Sequence, residues 1–206
     1  MSSIEFKSMR VKLEGIAGVR VYFTMNNDHR ILCIDILNPL NCNYILYTHS
    51  HPRHYPGDGI IDKLEDKTTV LSPMKGYLIK PGDVVRLDNI LVKVVDAYEE
   101  GLGEATIHPK GLGVGFIVEF EDKVTLYHMG DTGLINEILN LEERVDLLLI
   151  PIGGDGVMNV EEAVEAVKSL KPIITIPIHY TDRRFFFKFR DMVQPYTQVI
   201  DLKRSD

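Results

Sequence analysis

His49-Ser50-His51-Pro52-Arg53-His54 packs three of the chain's seven histidines into six residues. Imidazole is the commonest metal-binding side chain, because its neutral ring nitrogen donates well to zinc and similar ions. The run leaves Asn43–Thr48, a stretch that reads as a β-strand delivering the histidines at its C-terminal end. Alternate residues of an extended segment point the same way, so His49 and His51 can hold one ion together. His54 follows a break in that alternation and reaches towards a neighbouring ion. A lone histidine is usually structural, but this cluster has His108, His128 and His179 downstream. His29, beside a turn, reads as structural or solvent-exposed. The cluster points to metal-dependent hydrolysis.

Working outward, the first third of the chain reads as strands. Met9–Glu14, Val19–Met25 and His29–Ile36 are rich in β-branched and apolar residues, and Asn26-Asn27-Asp28 signals a hairpin turn. Asp58–Asp66 carries the apolar spacing of a short helix. Strands follow around Thr68–Leu71, Asp83–Leu87, Ile90–Ala97, Gly113–Phe120 and Val124–His128. The pattern then changes to a short helix at Leu134–Leu141, a buried strand at Val145–Ile152 and an amphipathic helix capped by Asn159 and stopped by Pro172. A second buried strand, Ile173–Ile178, and a helix, Arg183–Val193, close the series. Phe185, Phe186 and Phe187 are consecutive, so they cannot share one helix face. No long-period repeat is visible. Strands first, then strands alternating with helices, imply two sheets packed face to face with helices outside.

At 206 residues the chain is expected to be one domain spanning 1–206. It is 45% hydrophobic and 26% charged, enough for a substantial core, and no apolar run is long enough to span a membrane. Met1–Lys12 lacks the apolar stretch of a signal peptide. Cys33 and Cys42 make no disulfide framework, and Cys33 reads as a small buried hydrophobe, so a cytoplasmic location is the default. A net charge of −7 counts against general nucleic-acid binding. Arg183, Arg184, Lys188 and Arg190 form a basic cluster that is either a solvated helix face or an anion clamp for a phosphorylated or carboxylated substrate.

Two later stretches supply what the histidine cluster needs. Tyr127-His128-Met129-Gly130-Asp131-Thr132-Gly133 ends a strand in a glycine-flanked carboxylate, and Ile176-Pro177-Ile178-His179-Tyr180 places a histidine at another strand end. The ordered set resembles the metallo-β-lactamase superfamily, and in the segments around Tyr127–Thr132 and His108–Gly111 its small metal-dependent hydrolases related to ascorbate-6-phosphate lactonase. That resemblance implies a four-layer αββα sandwich of two mixed sheets flanked by helices. It implies a first metal site of His49, His51 and His108, with Asp131 bridging to a second that uses His54 and His179. Asp35 is then an anchoring residue and not a ligand.

One position departs from the family's His-x-His-x-Asp-His run: Arg53 stands where the aspartate would help bind the second metal. A guanidinium cannot be a ligand. Pointing inward at about 4 Å, at an effective dielectric near 20, it would repel a divalent ion by roughly 8 kcal/mol. Arg53 is therefore expected either to take over part of the second ion's role, donating to Asp131, or to swing to the surface. His128 is a candidate proton carrier or a packed strand-end histidine, and Tyr180 a candidate oxyanion donor or a buried structural tyrosine.

The expected reaction is attack by metal-activated water on an ester, lactone or phosphoester of a small, anionic substrate, with Asp131 orienting the water. Zinc suits the donors, one ion or two, as do manganese, iron and nickel. A metal-binding protein without hydrolytic activity is the competing reading, and a nuclease a weaker third. A homo-oligomer is compatible with the sequence. Substrate choice would fall to the loops Tyr55–Asp58, Tyr98–Ile107 and Thr181–Phe185.

Overall fold

Alternation of side chains builds the first half of the molecule, seen in a computed structural model that describes residues 2–64, 66–101 and 106–204. Strands β1 (Ile4–Phe6), β2 (Met9–Glu14), β3 (Gly18–Met25) and β4 (Asp28–Ile34) form an antiparallel meander. Met9, Val11 and Leu13 turn inward from β2 while Arg10 is exposed, and positive φ at Asn26 and Asn27 closes the β3–β4 turn. Strands β5 (Tyr44–Leu46), β6 (Thr69–Ser72) and β7 (Tyr77–Leu78) then add in parallel.

The second half repeats the scheme. Strands β8 (Val84–Leu87), β9 (Ile90–Ala97), β10 (Gly113–Glu119) and β11 (Thr125–His128) run antiparallel. Strands β12 (Leu147–Pro151), β13 (Ile174–Ile178) and β14 (Gln198–Val199) follow in parallel. Each sheet has seven strands in chain order. The repetition lies in strand direction and not in residues, which is why no repeat shows in the sequence.

The sheets face each other across one apolar layer. Val11, Val21, Leu32 and Leu46 from the first pack with Val92, Phe116, Leu126 and Leu149 from the second. On the outer face of the second sheet lie helices α2 (Asn136–Leu139), α3 (Val160–Leu170) and α4 (Arg183–Val193), whose buried stripes join Tyr127, Leu148 and Ile150. On the outer face of the first sheet, among the described residues, helix α1 (Asp58–Ile61) packs Ile61 near Ile45 and Tyr47, joined by loop residues Tyr55, Leu64 and Met74. The result is the expected αββα sandwich with a thin layer on one side. Asn159 and Glu162 form a reciprocal capping box on α3, and Lys171 ends it in the left-handed conformation.

The structure departs from expectation in small elements and in the cysteines. The helix expected over Asp58–Asp66 ends at Ile61, and its residue 65 lies outside the described residues, as do 102–105 of the loop expected over Tyr98–Ile107. Strands β1, β7 and β14 carry two or three residues each and owe their form to a neighbour. Cys33 is buried as expected but bonded to Cys42, with Cα atoms 5.9 Å apart. Parallel pairing of β4 with β5 folds the chain back and brings the two together. This removes the cysteine argument for a cytoplasmic location. Phe186 and Phe189 enter the core while Phe185 and Phe187 face solvent. Among the described residues no helix is long and apolar enough to cross a membrane.

Candidate metal centre

Every candidate donor sits just past a strand or in a loop on one rim of the sandwich. Beyond β5, Thr48 accepts the amide of Val114 through its carbonyl at 3.0 Å, so the end of the first sheet is bonded to β10 of the second. The amides of His54 and Tyr55 both donate to the carbonyl of His51, at 2.9 and 3.0 Å. This tight turn through Pro52 and Arg53 is the break in alternation, and it returns His54 to the side of His49. Asp131 follows β11 after Gly130, whose φ is +68° and where a Cβ would lie 2.6 Å from the Val114 carbonyl. His179 follows β13 with φ +51°, its amide donating to the Ile16 carbonyl at 2.9 Å. Asp35, after β4, also has φ +51°. Such conformations cost non-glycine residues energy and persist where the surroundings over-determine them.

The donors converge on one carboxylate oxygen. Asp131 Oδ2 lies 3.0 Å from His179 Nε2, 3.3 Å from His54 Nε2 and His108 Nε2, and 3.6 Å from His49 Nε2. His51 Nδ1 stands 3.0 Å from His49 Nε2 and 3.2 Å from His108 Nε2. Ligands about 2.0–2.1 Å from a tetrahedral ion are spaced about 3.3 Å from each other, so these separations suit ions between the atoms. Three groupings could hold an ion: His49, His51, His108 and Asp131; His54, Asp131 and His179; and Asp35, His49 and His54, the last already linked by His54 Nδ1 on Asp35 Oδ2. Asp131 Oδ1 is buried with no hydrogen-bond partner, an acceptor that the chain itself leaves unsatisfied. Nitrogen and carboxylate donors of this kind fit a divalent metal.

Outer partners fix the rings. His54 Nδ1 meets Asp35 Oδ2 at 2.8 Å, and His108 Nδ1 meets the Gly156 carbonyl at 2.7 Å, leaving each Nε2 free to face the centre. Asp35 also accepts the amide and hydroxyl of Thr48, at 2.8 and 2.6 Å, and Thr48 Oγ1 contacts His49 Nδ1 at 2.9 Å. Asp35 is thus saturated by the protein, as an anchor should be.

The electrostatics follow from this crowding. Burial opposes charge on His54, but Asp131 and Asp35 outweigh it and raise its pKa to about 10. Burial and the neighbouring His54 push His49 down to about 4. Asp131 stays well below the ordinary carboxylate range despite burial, held by His108, His179 and His54. A proton on His54 balances Asp131 in the metal-free chain, and a bound cation would take its place.

Other candidates fall elsewhere. His128 is fully buried, its Nε2 on the Ala17 carbonyl at 2.9 Å and its Nδ1 accepting the Gly130 amide at 3.2 Å. Both ring nitrogens are spent on backbone, so it braces the β2–β3 turn and the Asp131 bend and has none left to carry a proton. Arg53 is exposed and is not among the partners of Asp131; the tight turn sends it outward, and the inward-pointing catalytic role has no geometric basis. Tyr180 is buried against Phe186. The basic residues of α4 are committed to nearby carboxylates: Arg183 to Asp201, Arg184 to Asp182, Lys188 to Glu161 and Arg190 to Asp191. They form a solvated face and not an anion clamp. His29 is exposed. Sequence reasoning missed the Ile16–Ala17 turn, Thr48 and Gly156, which act through backbone or a hydroxyl and carry no motif.

Comparison with known proteins agrees with this geometry. The pattern of a Beta-lactamase superfamily domain matches residues 17–179. The chain belongs to the metallo-β-lactamase superfamily. It is 34% identical over 146 residues to a UPF0173 protein of Pyrococcus abyssi, covering 67% of this chain and 66% of that one. A UPF0173 metal-dependent hydrolase of Natranaerobius thermophilus is 34% identical over 152 residues, covering 67% and 65%. The chain thus spans just under two thirds of these relatives. Among solved structures, Igni18, a metallo hydrolase of Ignicoccus hospitalis, superposes with a TM-score of 0.74 at 21% identity, covering 96% of each chain. A Parabacteroides distasonis protein proposed to be a metal-dependent hydrolase gives 0.82 at 22%, covering 98% of each. These superpositions establish the superfamily fold. They do not bear on the likeness to ascorbate-6-phosphate lactonase.

Proposed function

We propose that this protein is a metal-dependent hydrolase of a small molecule carrying an ester, lactone or phosphoester. The observation that carries the reading is the convergence of His49, His54, His108 and His179 on Asp131 Oδ2, beside an unpartnered Oδ1. His49, His51, His108 and Asp131 would hold a first divalent ion, zinc being the best fit to the donors, and His54, Asp131 and His179 a second. A bound ion of this kind lowers the pKa of water from 15.7 to about 7 and polarises a substrate oxygen.

The chain's own groups do the rest. Asp131 would accept a hydrogen bond from the attacking water and so aim it. His51 and His179 are only partly buried, so substrate approaches from their side. With the basic residues of α4 paired to nearby carboxylates, a preference for anionic substrates would rest on the positive charge of the metal centre. The second donor set has three members against four in the first, and Arg53 supplies none; single occupancy at limiting metal follows. We retain a cytoplasmic location as part of this reading.

Zinc content per chain, measured on protein purified without added metal or chelator, comes first. One tightly held ion, and a second only on titration, is expected. The loaded protein is then assayed on phosphoester, lactone and thioester panels. Bound metal with no turnover on any panel overturns the hydrolase reading in favour of a metal-binding protein without hydrolytic activity.

A further inference from the structure

The Cys33–Cys42 disulfide lies outside the donor set but is tied to it through the loop it closes. Nine residues, 35–43, connect the parallel neighbours β4 and β5, where a crossover of about a dozen or more is usual. This short connection holds Asp35 and then an exposed stretch in which Leu37 and Leu40 are 47% and 64% exposed. Arg20, buried and opposite Cys33 in the β3–β4 register, grips the same stretch. It donates to the carbonyls of Asn38 and Leu40 at 3.2 and 2.9 Å, and its Nη1 lies 3.4 Å from Cys42 Sγ. Glu14 takes its Nε and Nη2 at 2.8 and 3.1 Å. A fixed cation beside a sulfur favours the thiolate, the reactive form. When the bond is reduced, Cys42 is therefore the nucleophile and Cys33 the resolving thiol.

We propose that Cys33 and Cys42 form a thiol–disulfide exchange site, with a low-molecular-weight disulfide such as oxidised glutathione as co-reactant, whose state sets the affinity of the metal centre. In the oxidising direction the Cys42 thiolate attacks one sulfur of glutathione disulfide, forming a mixed disulfide and releasing one glutathione thiolate. Cys33 then gives up its proton and attacks Cys42 Sγ; the mixed disulfide breaks and a second glutathione thiolate leaves. Two protein thiols lose two electrons and one glutathione disulfide gains them, becoming two thiols once protonated. Two glutathione molecules reverse the reaction. Both sulfurs are buried, so exchange requires the 37–41 stretch, exposed except at Pro39, to lift locally.

The coupling runs through Asp35. Its carboxylate orients His54 directly and His49 by way of Thr48, and the disulfide closes the chain on both sides of it. Opening the bond frees the loop and loosens the anchor. The coupling rests on the metal reading above; the exchange chemistry does not.

The test starts with metal-free wild type equilibrated in graded glutathione buffers, acid-quenched, alkylated and weighed. One transition in which both thiols titrate together is expected; a pair fixed in one state across the range overturns the exchange site. Zinc affinity is then measured for oxidised and reduced wild type against a chromophoric chelator. Reduction is expected to weaken zinc about threefold or more, short of the roughly 10–100-fold that loss of an outer partner costs. Equal affinities overturn the coupling alone, whereas no zinc bound in either state overturns the metal reading together with it. The double variant Cys33→Ser/Cys42→Ser should match the reduced protein in every buffer. In the Cys33→Ser background, Arg20→Gln should lower the share of Cys42 present as thiolate at a given pH, read from thiolate absorbance so that opening of the loop does not enter; an unchanged pH profile removes Arg20 from the proposal.

Discussion

Asp35 and Asp131 occupy matching places in the two halves of the molecule, each just past the fourth strand of a sheet whose first four strands run antiparallel. Both are buried, both follow an apolar strand, and both keep a pKa below the ordinary carboxylate range against the cost of burial. Their hydrogen bonds separate them. Asp35 takes the Thr48 amide, the Thr48 hydroxyl and His54 Nδ1, whereas Asp131 gathers imidazole nitrogens on Oδ2 and leaves Oδ1 bare. A carboxylate fully used by protein donors is a structural anchor; one with a buried unused oxygen awaits something the chain does not supply.

The largest expected effect comes from breaking the ligand. Asp131→Ala removes a donor from both sets at once, so tightly bound zinc should fall well below one ion per chain and turnover by at least about 100-fold, more than loss of an outer partner costs. Denaturant unfolding of the metal-free protein should also show a loss of stability, because His54, His108 and His179 lose the buried carboxylate they face. Retained metal with retained turnover would remove Asp131 from the centre.

Asp35→Ala should weigh more on stability and less on metal. Three donors lose their acceptor inside the protein, and a buried charged pair loses one member, so the metal-free chain should lose about 3 kcal/mol or more in unfolding experiments. Zinc affinity should fall about 10–100-fold, since His54 and His49 lose their orientation. A variant as stable as wild type would mean that Asp35 is no anchor.

Most of the candidate centre could be read in the sequence because metal-donor side chains are chemically conspicuous. His49, His51, His54, His108, Asp131 and His179 all reach one rim, and the strand ends that carry most of them are legible from the runs Asn43–Thr48, Val124–His128 and Ile173–Ile178. What could not be read acts through backbone or through pairing across the fold. The Cys33–Cys42 bond depends on how β4 meets β5, the bracing of His128 on the Ala17 carbonyl of a distant turn, and the pairing of each basic residue of α4 on carboxylates that composition lists without position. Arg53 belongs with these, because its direction is set by backbone bonds to His51 that no motif encodes.

Gly153→Ala probes the second half of the centre alone. A methyl there would lie 2.2 Å from the His179 carbonyl oxygen, and the atom it meets is backbone. The His179 loop must shift, at a cost of about 1–3 kcal/mol in stability. Binding of the second ion should weaken about tenfold or more as His179 moves. The first set does not include His179, so its affinity should stay within about twofold. Equal weakening of both ions would show that the two sets act as one cooperative unit.

The smallest effect should come from the residue that departs most from the family pattern. Arg53 is exposed, and the His54 and Tyr55 amides that hold its turn are bonded to His51 whatever side chain stands at 53. Its charge meets water and counterions, where the repulsion expected of an inward guanidinium falls to a small fraction of its low-dielectric value. Arg53→Ala should therefore leave stability within about 0.5 kcal/mol. First-site zinc affinity should stay within about twofold, since the four donors of that set are untouched. Calorimetric titration of both proteins at low salt, where an exposed charge acts most strongly, is the severest comparison. A gain of a full second ion on losing Arg53 would mean that the guanidinium turns inward in solution, and that the three-donor set is weak because of repulsion and not for want of a fourth ligand.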